Sequence, residues 1–241
     1  MHSTEDWFVA INTGNLELVK KYIAAGQDVN VSNGNGTRAI QLAVYAKNAP
    51  LLDLLMQAGA TSDCLLNYHA VKNNKIEIVS ILVKYTSLND GLPTAVKMEY
   101  SEIVKILLEA GADPNSTEYD GEKVIFIANL EITRLLIQAG ADTTVKNSSG
   151  YTPLMQSVFL SQVEKVKLLL EAGCDPNAKG HGGVISLHLA QMSSRSTELT
   201  MMLLEAKADP EILDDMGRTP LYYALGQQNS IGLLRGAQAS R

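Results

Sequence analysis

The sequence predicts an all-α solenoid of stacked helix pairs joined by short β-turn or hairpin loops, and three observations carry that prediction. One helix-ending phrase recurs along the chain, its copies stand about 33 residues apart, and the apolar residues ahead of each copy fall at helical spacing.

The phrase reads Leu55-Met56-Gln57-Ala58-Gly59-Ala60, then Leu107-Leu108-Glu109-Ala110-Gly111-Ala112-Asp113, Leu136-Ile137-Gln138-Ala139-Gly140-Ala141-Asp142 and Leu169-Leu170-Glu171-Ala172-Gly173-Cys174-Asp175. An earlier copy is Tyr22-Ile23-Ala24-Ala25-Gly26, and a later one, ending Ala206-Lys207-Ala208-Asp209, carries Lys in the glycine slot. Gly26 to Gly59 and Gly140 to Gly173 are each 33 positions, and Gly173 to Lys207 is 34. Glycine recurs because the residue just past a helix takes a left-handed conformation that a Cβ opposes. Ahead of it, Ile103, Val104, Ile106, Leu107 and Leu108, or Val163, Val166, Leu168, Leu169 and Leu170, give the helix one broad apolar face.

A shorter helix precedes each long one, as in Pro153 to Val158 and Pro220 to Leu225. Proline suits a helix start, whose first N–H groups lack partners, and Thr152 and Thr219 are the expected N-caps. The polar stretches between, such as Thr143 to Gly150 and Asp175 to Gly180, read as turns or hairpins. Gly150-Tyr151-Thr152-Pro153-Leu154 and Gly217-Arg218-Thr219-Pro220-Leu221 resemble the opening phrase of the ankyrin-repeat family, and Ala110-Gly111-Ala112-Asp113-Pro114-Asn115 its closing phrase. The resemblance runs over nearly the whole chain. It implies a single ankyrin-repeat solenoid over 1–241, with about seven helix pairs in units near 4–32, 33–63, 64–89, 90–115, 116–146, 147–179 and 180–213, and a C-terminal capping unit at 214–241.

Three departures distinguish this chain from a uniform array. Between Gly59 and Gly111 only 52 positions hold two helix pairs, 67–84 and 92–109, so the linking turns there are expected to be short, with Thr86 in the glycine slot. Gly111 to Gly140 spans 29, and the missing residues are assigned to the turn between paired helices near Ala128-Asn129-Leu130. Ser193 to Thr197 replaces a glycine-bearing turn with a longer polar loop, expected to bulge outward. Trp7, the only tryptophan, shares the register of Leu154 and Leu221; core filling is its expected role and a surface anchor the alternative.

Aromatics make up 5% against 46% hydrophobic residues, so the core is assembled from Leu, Ile, Val and Ala between thin elements. A net charge of −6 offers no footprint for a phosphate backbone, and nucleic acid is not an expected partner. Cys64 and Cys174 are too few for a disulfide framework or a tetrahedral metal site. No apolar run approaches the ~18 residues that cross a bilayer, and the N-terminus lacks the order of a signal peptide. A monomer without membrane insertion is expected, in the cytoplasm, with leaderless secretion left open.

Catalysis requires a nucleophile, a base and an orienting group to converge, whereas repeats spread equivalent residues along a surface. His188 falls where the family's histidine joins a structural hydrogen-bond network, and Ser186, two residues away on the same helix, does not face it. The column Asp28, Asp113, Asp142, Asp175 and Asp209 is expected to brace turns, because stacked units ~10 Å apart hold carboxylates too far from one another to share a metal or a proton. Asp209, Glu211, Asp214 and Asp215 read as a solvated turn, with a weak cation site as the alternative. Gly180 to Gly183 lacks the strand and the Lys-Ser/Thr pair of a phosphate loop. No catalytic, metal or cofactor residue is expected.

What the resemblance implies is protein binding on a concave surface. Its candidate positions are Tyr45, Lys72, Asn73, Lys97, Met98, Phe159, Leu160 and Met192 on first-helix exits, and Asn35, Thr37, Tyr119, Glu122, Ser148 and Tyr151 on turns. Apolar anchors ringed by polar groups are the arrangement of interface hot spots; gap filling is an equal reading for Met98 and Phe159. The short turns between Gly59 and Gly111 are expected to lower the wall into a notch that admits a bulky partner element. An adaptor, inhibitor or effector is the expected class, a structural spacer or self-assembling protein the alternative, and an enzyme a distant third.

Overall fold

The computed structural model describes residues 3–88, 90–224 and 227–239. They fall into two compact units that divide after Asp113. The first unit runs through four successive helix pairs: α1 (Thr4–Thr13) and α2 (Leu16–Ala24), α3 (Ala39–Tyr45) and α4 (Ala49–Gln57), α5 (Cys64–Lys72) and α6 (Ile76–Leu82), α7 (Gly91–Lys97) and α8 (Ser101–Glu109). The second holds α9 (Val124–Ile127) and α10 (Leu130–Gln138), α11 (Pro153–Phe159) and α12 (Val163–Glu171), α13 (Ser186–Ala190) and α14 (Ser196–Glu205), α15 (Pro220–Tyr223) and α16 (Gln228–Ala239). Within each unit first helices pack on first helices and second helices on second helices, giving two layers around one core. Among the described residues, no helix is long and apolar enough to cross a membrane.

Local chemistry starts these helices. The Ser3 hydroxyl accepts from the Asp6 N–H at 3.1 Å, while Asn15, Asn48, Asp63 and Asn129 accept from Leu18, Leu51, Leu66 and Ile132 at 2.8 to 3.1 Å. Each such cap is worth about 1 kcal/mol. Thr152 caps α11 through Met155, as expected, but Thr219 stands at the N-cap of α15 and makes no capping bond. The exits follow the glycine logic: Gly59, Gly111 and Gly140 take φ near +88°, and Lys207 adopts φ +69° in the same slot. Thr86 is different. Its N–H and hydroxyl both donate to the Leu82 carbonyl, at 2.9 and 3.1 Å, so the side chain closes the helix without a left-handed residue.

Full linkers between pairs hold fourteen residues, as at 25–38, 139–152, 172–185 and 206–219, whereas 58–63 and 83–90 are cut to six and eight. Three full linkers carry the same five-residue hairpin tip. Asn33, Asn147 and Asp214 donate their N–H to the carbonyls of Thr37, Tyr151 and Arg218, and accept two backbone N–H groups on one side-chain oxygen. Gly36, Gly150 and Gly217 sit at φ +74° in each tip. The aspartates of the helix exits brace the turn just before it: Asp28, Asp142, Asp175 and Asp209 accept from the N–H two residues on, at 2.8 to 2.9 Å. Consecutive pairs are then stitched by asparagine. Asn30 donates to the Gly59 carbonyl and accepts from Thr61, and Asn177 does the same with Lys207 and Asp209.

The core is aliphatic, as the composition required. In α8, Ile103, Val104 and Leu107 are at most 1% exposed while Glu102, Lys105 and Glu109 face water. Full burial of such a side chain contributes about 1.5–3 kcal/mol. Trp7 is fully buried, edge-on to Tyr22 at 6.2 Å, which confirms core filling.

Two loop expectations are corrected. Helix α9 has four residues and the turn after it two, against seven and three for α11, so three of the four missing residues come from the helix and one from the turn. The truncated end is tolerable because Lys165 Nζ donates to the Ala128 carbonyl at 2.8 Å. The Ser193 loop does not bulge as a whole: Ser193 and Ser196 are buried, with Ser193 bonded to Ser161 at 2.6 Å and Ser196 bonded to Gln227 and Ser230.

Candidate functional site

Four first helices, α3, α5, α7 and α11, end on the same device. Lys47, Asn74, Glu99 and Ser161 take φ between +50° and +58° and swing the chain into the second helix. Just before that swing, Val44, Val71, Val96 and Val158 are completely buried, and the next residue, Tyr45, Lys72, Lys97 or Phe159, turns outward. In these four pairs the fold thus fixes one outward position, whatever side chain it carries.

In the first unit these exits present Tyr45 at 51% exposure, Lys72, Asn73, Lys97 and Met98 at 40%. In the second they present Phe159 at 49%, Leu160 at 51% and Met192 at 63%. Among the turn candidates, Asn35 and Ser148 are exposed, and Tyr119 at 98% stands clear of the protein. Thr37, Glu122 and Tyr151 are half-buried. Glu122 turns its Oε1 inward without a hydrogen-bond partner, and burial, with Asp120 nearby, raises its carboxyl above the usual range. The Tyr151 and Phe159 rings lie 6.0 Å apart, joining a turn candidate to an exit candidate.

Sequence reasoning missed the groups around Tyr45. Its ring meets His69 edge-on at 5.0 Å, and the buried Lys75 ammonium lies 5.7 Å from its centre while donating to the Val44 carbonyl at 2.8 Å. Lys72 lies over the Tyr68 ring at 5.4 Å. Burial and then Lys75 and Lys72 lower the His69 imidazole; burial and then Lys47 lower Lys75. The available signal was the spacing of Lys47, Lys72 and Lys97, each 25 residues from the next. Beside the shortened linker, a groove of about 400 Å³ opens between Val83 to Leu88 and Leu107 to Ala112.

The second unit resolves the histidine and acidic-run questions structurally. His188 Nδ1 accepts from the Ile185 N–H at 3.2 Å, so Nε2 carries the hydrogen and donates to the Arg218 carbonyl at 3.0 Å. Asp214 is not part of a solvated turn. It is buried, pairs with Arg218 at 2.8 Å and accepts from the Tyr223 hydroxyl at 2.6 Å. Burial alone would raise its carboxyl, but the bonds from Tyr223 and Arg218 hold it well below the usual range. Among the described residues, no group of three His, Cys, Asp or Glu side chains is placed to hold a metal ion.

The family model for ankyrin repeats in three copies matches residues 7–92 and 92–180. Ankyrin repeat and SOCS box protein 3 of Homo sapiens is 28% identical over 184 residues, covering 61% of this chain and 32% of that protein. The B-cell lymphoma 3 protein homolog of Mus musculus is 29% identical over 142 residues, 57% of this chain and 28% of that one. The chain thus spans about a third of the length of the curated relatives it matches. The crystal structure of the ankyrin repeat domain of Bcl-3, described as a unique member of the IkappaB protein family, covers 95% of this chain and 96% of its own at 24% identity with a TM-score of 0.58, a likeness of fold. With the model matched from residue 7 to residue 180 and the helix pairs, hairpin tips and glycine exits in register, this chain belongs to the ankyrin-repeat family.

Proposed function

We propose that the chain is a protein–protein interaction module, of adaptor, inhibitor or effector type, that takes its partner on the concave face of the ankyrin stack. The observation that supports this reading is positional. Fully buried valines lie behind the exits at Tyr45, Lys97 and Phe159 and a buried glutamine behind Met192, yet at or beside these exits Tyr45, Met98, Phe159, Leu160 and Met192 keep 40% to 63% of their surface in water. Large apolar side chains held exposed at the ends of first helices on a polar surface are the composition of binding anchors. A stable interface needs about 800 Å² per partner, which several adjacent exits and hairpin tips supply together. The name of the human relative joins ankyrin repeats to a SOCS box, which fits repeats serving as the recognition part of a larger protein. The groove beside residues 83–88 is the position at which a bulky partner element would enter.

Affinity capture from lysate, read by mass spectrometry, tests this with the native chain and a Tyr45→Glu, Tyr151→Glu, Phe159→Glu triple variant of unchanged helicity. The expected result is a partner recovered by the native chain alone. Equal recovery by both refutes the concave face as the site.

A further inference from the structure

The last described pair, α15 and α16, leaves open a side that the pairs before it bury. Pro153-Leu154-Met155, Ser186-Leu187-His188 and Pro220-Leu221-Tyr222 share one register at the start of α11, α13 and α15. Leu154, Met155, Leu187 and His188 are at most 1% exposed. The following pair covers them: a Cβ on Gly180 would stand 3.0 Å from the Met155 sulfur, and Tyr223 lies edge-on to His188 at 5.5 Å. Tyr222 has no such cover and keeps 57% of its surface in water.

The hairpin tips stack and then stop in the same way. The Asp215 N–H donates to the Gly182 carbonyl at 2.9 Å, which seats the tip at 214–218 on the one before it. Where the two earlier tips carry Lys146 and Lys179, then Ser149 and Gly182, the last carries Leu213 at 47% and Met216 at 76% exposure. A terminal repeat keeps a stack soluble by turning a polar face outward. This one turns out Leu213, Met216 and Tyr222, with Leu221, Ile231 and Leu233 half-buried beside them. Tyr222 is held in place as well. Its ring lies 5.8 Å from that of Tyr223, and the Arg218 guanidinium, paired with Asp214, sits 5.5 Å from its centre. Tyr, Met and Arg are the residue types enriched at protein interfaces, and a pre-positioned ring loses little freedom on binding.

We propose that this end face pairs two copies of the chain about a two-fold axis, against the monomer that the sequence suggested. Charge permits the pairing: residues 211–239 hold Glu211, Asp214 and Asp215 against Arg218 and Arg235, a net −1 of the chain's −6, so like faces repel little. Head-to-tail stacking is disfavoured, because the first pair exposes Glu5, Asp6, Asn12, Glu17 and Lys20, with Val9 its one exposed large apolar residue. An isologous contact joins apolar face to apolar face and closes at two copies. Two helices each about 10 Å across, of which α16 with twelve residues is about 18 Å long, and the tip beside them offer on the order of 500 Å² per copy, below the about 800 Å² of a standard interface. The dimer is therefore weak, in the micromolar range. It uses none of the first-helix exits, so it stands apart from the binding-module reading.

Sedimentation velocity of the full chain from about 1 to about 300 μM tests the proposal. The mass is expected to rise from 26.0 kDa toward twice that value and no further. A Met216→Glu, Tyr222→Glu variant, whose exchanges fall on exposed side chains, should dimerise at least about tenfold more weakly with unchanged helicity, while Phe159→Glu should match the native chain. Tyr222→Phe, which keeps the ring, should retain the dimer. A native chain that stays at 26.0 kDa throughout overturns the proposal, as does a mass that grows beyond two copies or a dimer that survives the double exchange. A monomeric native chain whose captured partner is lost by the double variant gives the face to a foreign protein and likewise removes the pairing. Loss of a captured partner by the Tyr45, Tyr151, Phe159 variant with the dimer intact leaves both readings standing.

Discussion

Lys165 offers a quantitative check on the packing of the second unit. Its side chain is 6% exposed, its ammonium donates to the Ala128 carbonyl at 2.8 Å, and it forms no ion pair among the described residues. Burial lowers it from the usual 10.5 to about 8. At about 1.36 kcal/mol per pH unit, that gap corresponds to roughly 3 kcal/mol of differential stability. Below pH 8 both folded and unfolded chains hold the proton, so the folded state bears the whole penalty. Between pH 8 and 10.5 the unfolded chain binds more protons than the folded one, so stability rises with pH. Replacing Lys165 by Met removes the titration. It also leaves the Ala128 carbonyl with only the Thr133 hydroxyl at 3.5 Å, a cost of about 1–3 kcal/mol that is the same at every pH. Urea unfolding followed by circular dichroism, repeated across this pH range for both proteins, gives the difference in stability. The native chain should gain on Lys165→Met by roughly 3 kcal/mol from the neutral to the alkaline end. A Lys165→Arg chain, which cannot give up its proton, should show no such gain. Parallel pH profiles for the native and Met chains would falsify the burial of a charged amine at this point.

Three further outcomes follow from the same geometry. Asn177→Ala removes both bonds that tie the α12 exit turn to Lys207 and Asp209, and should destabilise by about 1–3 kcal/mol in chemical unfolding, with Asn177→Asp, which keeps only the acceptor, in between. Lys207→Gly relieves a left-handed residue at φ +69°, a cost of about 1–2 kcal/mol set against about 0.4–1 kcal/mol of added unfolded-chain entropy, so the melting midpoint should rise by about 2 °C; a fall would show that the Lys207 side chain stabilises the turn. Asp214 is held below its unfolded value, so its stabilisation is present above about pH 4 and lost as pH falls further. Asp214→Asn should therefore melt lower than the native chain at neutral pH, and the difference should shrink in acid; a constant difference would assign the effect to shape rather than charge.

Much of this protein was legible in its residues because the requirement is local. Gly59 and Gly140 announce left-handed exits, Asp142 and Asp175 brace the turns they begin, and Thr152 caps the helix it precedes. The outward positions were legible for a related reason: a buried valine followed by an exposed residue is a phase of the helix, and the phase repeats with the unit. Tyr45, Lys72, Lys97 and Phe159 all occupy it.

What sequence reasoning placed wrongly depends on side-chain partners, some of them thirty or more residues away. The deletion near Ala128 falls mainly in the helix because Lys165, 37 positions later, supplies the donor that the truncated end needs. Asp214 is buried because Arg218 and Tyr223 close over it, and the Ser193 loop is drawn in by Ser161. Lys75 drew no reading from the sequence, and stacking sets its ammonium 5.7 Å from the Tyr45 ring centre and against the Val44 carbonyl. The sequence by itself determined the repeat, its register and its turn chemistry, since each is settled by backbone conformation within a few bonds. The tertiary structure alone decided which polar side chains are buried and what they bond, because that depends on which groups packing brings together, several of them from a neighbouring repeat.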